Sequence, residues 1–97
     1  MEKNLILKAL ANPTRLEILA RLKNPERYFS SQQHPLNMGV CAGEFERLGL
    51  SQSTISSHLG ELLKAGLLTS RRIGQWVLYQ RNEQAIREFL VYLDKEL

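Results

Sequence analysis

Residues 51–57 read Ser-Gln-Ser-Thr-Ile-Ser-Ser, a run in which every side chain but Ile55 ends in a hydroxyl or an amide. Such groups are short, uncharged and able both to donate and to accept, which suits recognition of a polar surface and not bond breaking. Base-pair edges in a DNA major groove are a surface of that kind. Hydroxyls there reach either sort of partner, and Gln52 suits the bidentate contact with adenine. Ser53, Thr54, Ser56 and Ser57 are further candidates, with Lys64 on the same face. As a solvent coat alone the run is poorly chosen, because serine is a mediocre helix former and alanine, glutamate or lysine would serve better. Downstream, Arg71-Arg72 precede Gly74-Gln75. Guanidinium groups beside a turn reach phosphates or a narrow minor groove, supplying affinity more than sequence choice. Gln75 joins them as a candidate contact. Solvated strand ends are the plain alternative for the two arginines, and it loses ground beside such a helix.

Reaction chemistry is missing from the pattern. No carboxylate pair, nucleophile–base set or phosphate-cradling glycine loop is visible, so no enzyme is expected and no catalytic residue is assigned. Cys41 is the single cysteine and the histidines are two. That set offers neither a disulfide nor a zinc spacing, and no metal or cofactor is expected. A thiol near a helix start can be activated by the local field, yet free cysteine is usually packed; Cys41 is therefore either a packed thiol or a redox sensor. His58 is read as a hydrogen-bonding residue at the edge of its helix and His34 as a loop residue. Trp76 and Tyr79 could stack on bases of a single strand, but alternation on a half-buried strand favours core packing for both.

These residues need elements to hold them. With Ile55 at zero on a helical wheel, Leu59, Leu62 and Leu63 cluster on one side while Ser53, Ser57, Gly60 and Lys64 lie opposite, predicting an amphipathic helix over about 51–65 capped by Ser51. Val40, Ala42, Phe45 and Leu48 predict a short helix within 38–48, and Gly49-Leu50 turns the chain between the two. Leu67–Arg72 and Trp76–Tyr79, separated by Ile73-Gly74-Gln75, predict a β-hairpin over about 67–81. Upstream, Leu5, Ile6, Leu7, Ala9 and Leu10 make a first helix apolar enough to need cover, and Asn12-Pro13 starts a second that runs to about Lys23. Asn82 caps a last helix with Ala85, Ile86, Phe89, Leu90, Leu93 and Leu97 at steps of three and four. Between the second and third helices, residues 24–37 have two prolines and no periodicity. They are read as a loop, either a surface insertion anchored by Tyr28 and Phe29 or a ligand-contact element.

Ninety-seven residues, 43% of them hydrophobic, make one folded domain. No apolar run approaches a membrane span and the N-terminus lacks a secretory core, which predicts a cytoplasmic protein without membrane attachment. A chain this short buries little surface, and oligomerisation is the simplest remedy. The net charge is +3. Residues 51–81 carry Lys64, Arg71, Arg72 and Arg81 against Glu61, whereas residues 82–97 carry Arg87 and Lys95 against four carboxylates. A polyanion would meet the middle segment first.

The stretches Leu10-Ala11-Asn12-Pro13-Thr14-Arg15-Leu16-Glu17-Ile18-Leu19, Leu50-Ser51-Gln52-Ser53-Thr54-Ile55-Ser56-Ser57-His58-Leu59, Ala65-Gly66-Leu67 and Arg71-Arg72-Ile73-Gly74-Gln75-Trp76-Val77-Leu78-Tyr79, in this order, resemble the arsenical-repressor (ArsR) family. The resemblance covers nearly the whole chain outside 24–37. It implies a mainly α winged helix-turn-helix of about five helices with a small hairpin wing. The first and last helices, about 2–11 and 82–97, would form a homodimer and bury both terminal apolar stripes; 51–65 would be the recognition helix and 67–81 the wing. It also implies a palindromic operator and release by an effector that the sequence does not name. Many relatives sense metals through a Cys-Val-Cys box on the helix before the turn. The comparable stretch here is Val40-Cys41-Ala42-Gly43-Glu44-Phe45, with one thiol where soft metals need more. Other relatives use Asp, His and Glu on the last helix, and residues 82–97 hold no histidine.

The function expected is thus sequence-specific binding of double-stranded DNA by a dimeric transcriptional repressor, with Gln52, Ser53, Thr54, Ser56, Ser57, Lys64, Arg71, Arg72 and Gln75 as contacts. Two alternatives stand beside it: a winged-helix protein-interaction module, and a regulator that senses oxidants through Cys41. The first would call for an apolar or acidic outer helix face, and the Ser53, Ser57, Lys64 pattern is neither.

Overall fold

A computed structural model describes residues 2–97. The chain begins with α1 (Lys3–Leu10), α2 (Pro13–Lys23) and α3 (Pro25–Phe29), then passes a 3-10 turn at Leu36–Met38 into strand β1 (Val40–Cys41). A 3-10 helix at Ala42–Leu48, the long helix α4 (Gln52–Lys64), strands β2 (Leu68–Ile73) and β3 (Trp76–Arg81), and α5 (Glu83–Glu96) complete it. This is a mainly helical winged helix-turn-helix, as expected.

The helix starts follow from local chemistry. Asn12 Oδ1 accepts from the amides of Thr14 (2.9 Å) and Arg15 (3.1 Å), with Pro13 at the first helical position of α2. Asn82 does the same for α5, accepting from Ala85 N at 3.2 Å, and its Nδ2 donates to Gly66 O at 3.0 Å, so the end of α4 and the start of α5 share one side chain. The core is continuous: Ile6 and Ala9 of α1, Ile18 and Leu22 of α2, Phe29, Val40 and Phe45, then Ile55, Leu59 and Leu62 of α4, with Phe89 of α5. Each methylene removed from water contributes about 0.8 kcal/mol, so this cluster and not helix propensity holds the elements in place.

Three expectations need correction. Residues 24–37 are not all loop: Pro25 opens the one-turn helix α3, whose Phe29 is buried against Phe45 with ring centroids 5.3 Å apart. Five residues are too few for an apolar period to register, although the anchoring by Tyr28 and Phe29 is as read. The segment before the turn is not one helix from 38 to 48. Val40 and Cys41 form β1, which pairs antiparallel with β3 through Val40↔Tyr79 and Cys41↔Leu78, and a tighter 3-10 helix follows. The wing is therefore a three-stranded sheet in the order β1-β3-β2 and not a hairpin alone. Third, Trp76 is 44% exposed and stands outside the core, whereas Tyr79 is half-buried against it. Trp76 pairs with Ile73 beside the hairpin turn, where the His34 ring, 5.6 Å away edge-on, covers it only in part.

Candidate nucleic-acid interface

The helix-turn-helix is built from the 3-10 helix 42–48, the turn at Gly49-Leu50-Ser51 and α4. Phe45, fully buried, pins the first of these, and Gly49 takes φ +79°, reversing the chain within three residues. Ser51 then caps α4. Its Oγ accepts from Thr54 N at 3.2 Å, donates to Thr54 Oγ1 at 2.9 Å and lies 3.3 Å from Ser53 Oγ. Inward, Ile55, Leu59 and Leu62 are buried; outward, Gln52, Ser53, Thr54, Ser56, Ser57, Gly60 and Lys64 are all exposed.

The structure therefore brings the six sequence-nominated residues of α4 onto one free surface. They are not equivalent there. Thr54 and Ser53 share their hydroxyls with the cap, whereas the side chains of Gln52, Ser56, Ser57 and Lys64 make no hydrogen bond among the described residues. Ser57 lies one turn along from Ser53, with Gly60 and Lys64 continuing the same side of the helix. Short side chains at that spacing let a helix backbone approach base edges closely.

The wing carries the other three. Gly74, at φ +59°, holds the first place of a two-residue turn with Gln75 second, the glycine position of the type II′ hairpin whose twist suits paired strands. Gln75, Arg71 and Arg72 are exposed. Because strand side chains alternate, the two arginines take opposite faces. Arg72 pairs with Val77 and lies on the face of Ser70 and Tyr79, which fronts α4: Tyr79 lines a small cleft with Gln52, Ile55, Ser56 and Leu59. Arg71 pairs with Leu78 and lies on the other face, with Cys41. Arg72 Nε also donates to Gly74 O at 3.3 Å.

The segment 30–39 covers that second face, a role its sequence did not reveal. Gln32 accepts from Cys41 N at 3.0 Å, while its Nε2 donates to Gly39 O at 2.9 Å and His34 O at 2.8 Å. Gln80 Nε2 donates to Asn37 O at 3.0 Å. Gly39 crosses β3 so closely, at φ +116°, that a Cβ there would sit 3.1 Å from Tyr79 O and Leu78 Cβ; only glycine fits. Arg47 of the helix-turn-helix donates to the Ser31 hydroxyl. The insertion is thus a brace on the wing.

Cys41 lies under that brace. Its Sγ is 3.3 Å from His34 Nδ1, and the His34 ring meets Trp76 edge-on at 5.6 Å. His34 is accordingly no idle loop residue. Burial first, and then the Glu44 carboxylate, push the Cys41 thiol above its usual pKa. Both effects disfavour the thiolate, the form that reacts with oxidants. Cys41 ends β1 and stands at the N-cap of the 3-10 helix 42–48, and no cluster of three or more metal-ligating side chains occurs among the described residues.

His58 makes the edge contact expected of it: Arg15 Nη1 lies 3.2 Å from its Nδ1. Nothing in the sequence marks Arg15 for this role, since an arginine in the first turn of a helix gives no signal of which distant group it meets.

A family described as "Bacterial regulatory protein, arsR family" matches residues 45–70, which hold the helix-turn-helix and the start of the wing. The chain is 40% identical, over an alignment of 100 positions that spans the whole of both proteins, to the uncharacterized HTH-type transcriptional regulator YbzH of Bacillus subtilis. It is 35% identical to the arsenical resistance operon repressor of Staphylococcus xylosus, over 99% of this chain and 77% of that one. Among solved structures, reduced HlyU from Vibrio cholerae superposes with a TM-score of 0.61 at 36% identity, covering 92% of this chain and 84% of that one. Full-length similarity, a shared backbone and a matching helix-turn-helix agree, and the chain belongs to the arsR family of bacterial regulatory proteins.

Proposed function

We propose that the protein is a homodimeric repressor that binds a palindromic double-stranded operator in the cytoplasm, with α4 in the major groove and the wing on the flanking backbone. One observation carries this reading: an exposed strip of Gln52, Ser53, Thr54, Ser56, Ser57 and Lys64 backed by a fully buried apolar stripe. Rigid backing lets polar side chains discriminate between bases, because a mismatched edge cannot be accommodated by moving the helix. Arg71, Arg72 and Gln75 would add phosphate or minor-groove contacts, and the N-terminal amides of α4 favour a phosphate nearby.

Dimerisation through α1 and α5 is supported by the apolar residues these helices leave uncovered. Leu7 of α1 and Leu90 and Val91 of α5 are each about half exposed, on helices that share the core through Ile6 and Phe89 and also meet where Lys3 lies over the Tyr92 ring at 4.6 Å. A two-fold pairing would bury them and set the two copies of α4 about one duplex turn apart, ~34–36 Å. An unidentified effector would release the operator.

Selection of bound duplexes from a random pool, followed by gel shifts at moderate salt, tests the reading. An enriched inverted repeat bound at least about a thousandfold over random duplex is expected. Equal binding of selected and random DNA, or a single-chain mass by light scattering at the concentrations used, would overturn it.

A further inference from the structure

Arg15 joins three parts of the molecule through one guanidinium. From the first turn of α2 its Nε donates to Ala9 O at 2.6 Å and its Nη2 to Lys8 O at 3.1 Å, so it caps the end of α1 beside the Ala11 amide, which also donates to Lys8 O at 3.3 Å. Its Nη1 lies 3.2 Å from His58 Nδ1 on α4, 43 residues away in sequence. Guanidinium is planar and only donates, so Nδ1 must be the acceptor and the ring proton resides on Nε2. Five donors fixed in one plane leave little room for the groups they bind to turn independently. His58 is one turn beyond Thr54 and one turn before Leu62, hence on the flank between the polar strip and the core stripe of α4.

We propose that Arg15 is a positioning residue for operator recognition: by binding the end of α1 and His58 with a single rigid fork, it fixes the orientation of α4 relative to α1. The inference rests on the dimeric reading above. If α1 lies in the dimer interface, Arg15 is a direct polar link from that interface to the recognition helix. It thereby governs the distance and angle between the two α4 copies, and so the half-site spacing the dimer accepts. Ala9 and the apolar stripe of α4 already join the same core. Packing of that kind holds helices together but tolerates small rotations; a fixed hydrogen-bond plane does not.

The experiment compares binding to the selected inverted repeat with binding to the same half-sites spaced one base pair farther apart. Wild type should prefer the native spacing, and Arg15→Met, which keeps the aliphatic stem and removes the donors, should reduce that preference roughly fivefold. Taking the ratio of two spacings on identical half-sites cancels any general loss of affinity or folded fraction. His58→Leu should reduce the ratio as Arg15→Met does, whereas His58→Asn, which offers an acceptor near the Nδ1 position, should preserve it. Long-range 1H–15N spectra of the free protein should show only the Nε2–H tautomer of His58 in wild type and a mixture in Arg15→Met. Should Arg15→Met not fold, the two His58 variants decide. An unchanged ratio in Arg15→Met and His58→Leu, or an unchanged tautomer in Arg15→Met, overturns the role of Arg15 alone. A wild type without spacing preference removes the dimeric reading and this inference with it.

Discussion

The recognition helix and the wing present similar polar surfaces but are held in place by different physics. Helix α4 is seated by Ile55, Leu59 and Leu62, which alternate with its outward residues at helical spacing, so one short sequence both displays the surface and backs it. The wing has Val40, Leu68, Leu78 and half of Tyr79 as its main apolar anchorage; its outer face is fixed by hydrogen bonds from Gln32, Gln80 and the backbone around Gly39. Burial is non-directional and tolerant, whereas hydrogen bonds between distant segments are directional and fail singly. The reading surface is thus the robust part of the interface and the wing is the part open to local change.

The sharpest attack on this contrast is Leu62→Ala. Removing a fully buried leucine should cost about 2–5 kcal/mol in denaturant titration and weaken every DNA contact in parallel with the loss of fold. Gln32→Ala comes next, at roughly 1–3 kcal/mol, since the amide of Cys41 and the carbonyls of His34 and Gly39 lose their partner together. Hydrogen exchange should rise in β1 and β3 while α4 stays protected, and equal loosening of both regions would erase the distinction drawn here.

Smaller effects separate the two arginines. Arg72→Ala, on the face toward α4, should flatten the dependence of log affinity on log salt by about one unit for operator and random duplex alike. Arg71→Ala, on the braced face, should flatten it less. A sequence-selective loss in either variant would contradict phosphate contact. Smallest is the pH response of the joint between wing and α5. The hydrogen bond from Arg81 holds the Glu83 carboxylate below its usual range, with Arg81 Nε 2.8 Å from Oε2. A depressed carboxylate stabilises the fold above its unfolded pKa, and that contribution fades as pH falls through the folded value. Glu83→Gln should therefore match wild type in acid and be slightly less stable at neutral pH, by a margin kept small because the side chain is half exposed.

Legibility followed the same division. The limits of α4, the caps Asn12, Ser51 and Asn82, and the hairpin turn at Gly74-Gln75 are local, fixed by residues within four positions of one another, and each stands where the sequence put it. Ser53, Thr54, Ser57 and Lys64 are exposed for the same reason, since periodicity states which side faces out, whereas Gln52, on the wheel beside Leu59, is exposed as the first residue of the helix. Strand β1 was illegible because two residues form it only by pairing with β3, some 38 positions later. Alternation tells which face Trp76 occupies and not how fully that face is covered.

Taken alone, the order of residues determined the helix-turn-helix, its polar strip and the family to which the chain belongs, because these depend on short-range periodicity, capping and turn chemistry. Tertiary structure decided that Arg72 faces α4 while Arg71 lies on the face that segment 30–39 covers, that His34 and Gln32 serve the wing, that Cys41 is enclosed, and that Arg15 reaches from α1 to His58. Each of those facts is a meeting of groups separated by many residues, with a geometry set by how the whole core packs, and no local pattern encodes it.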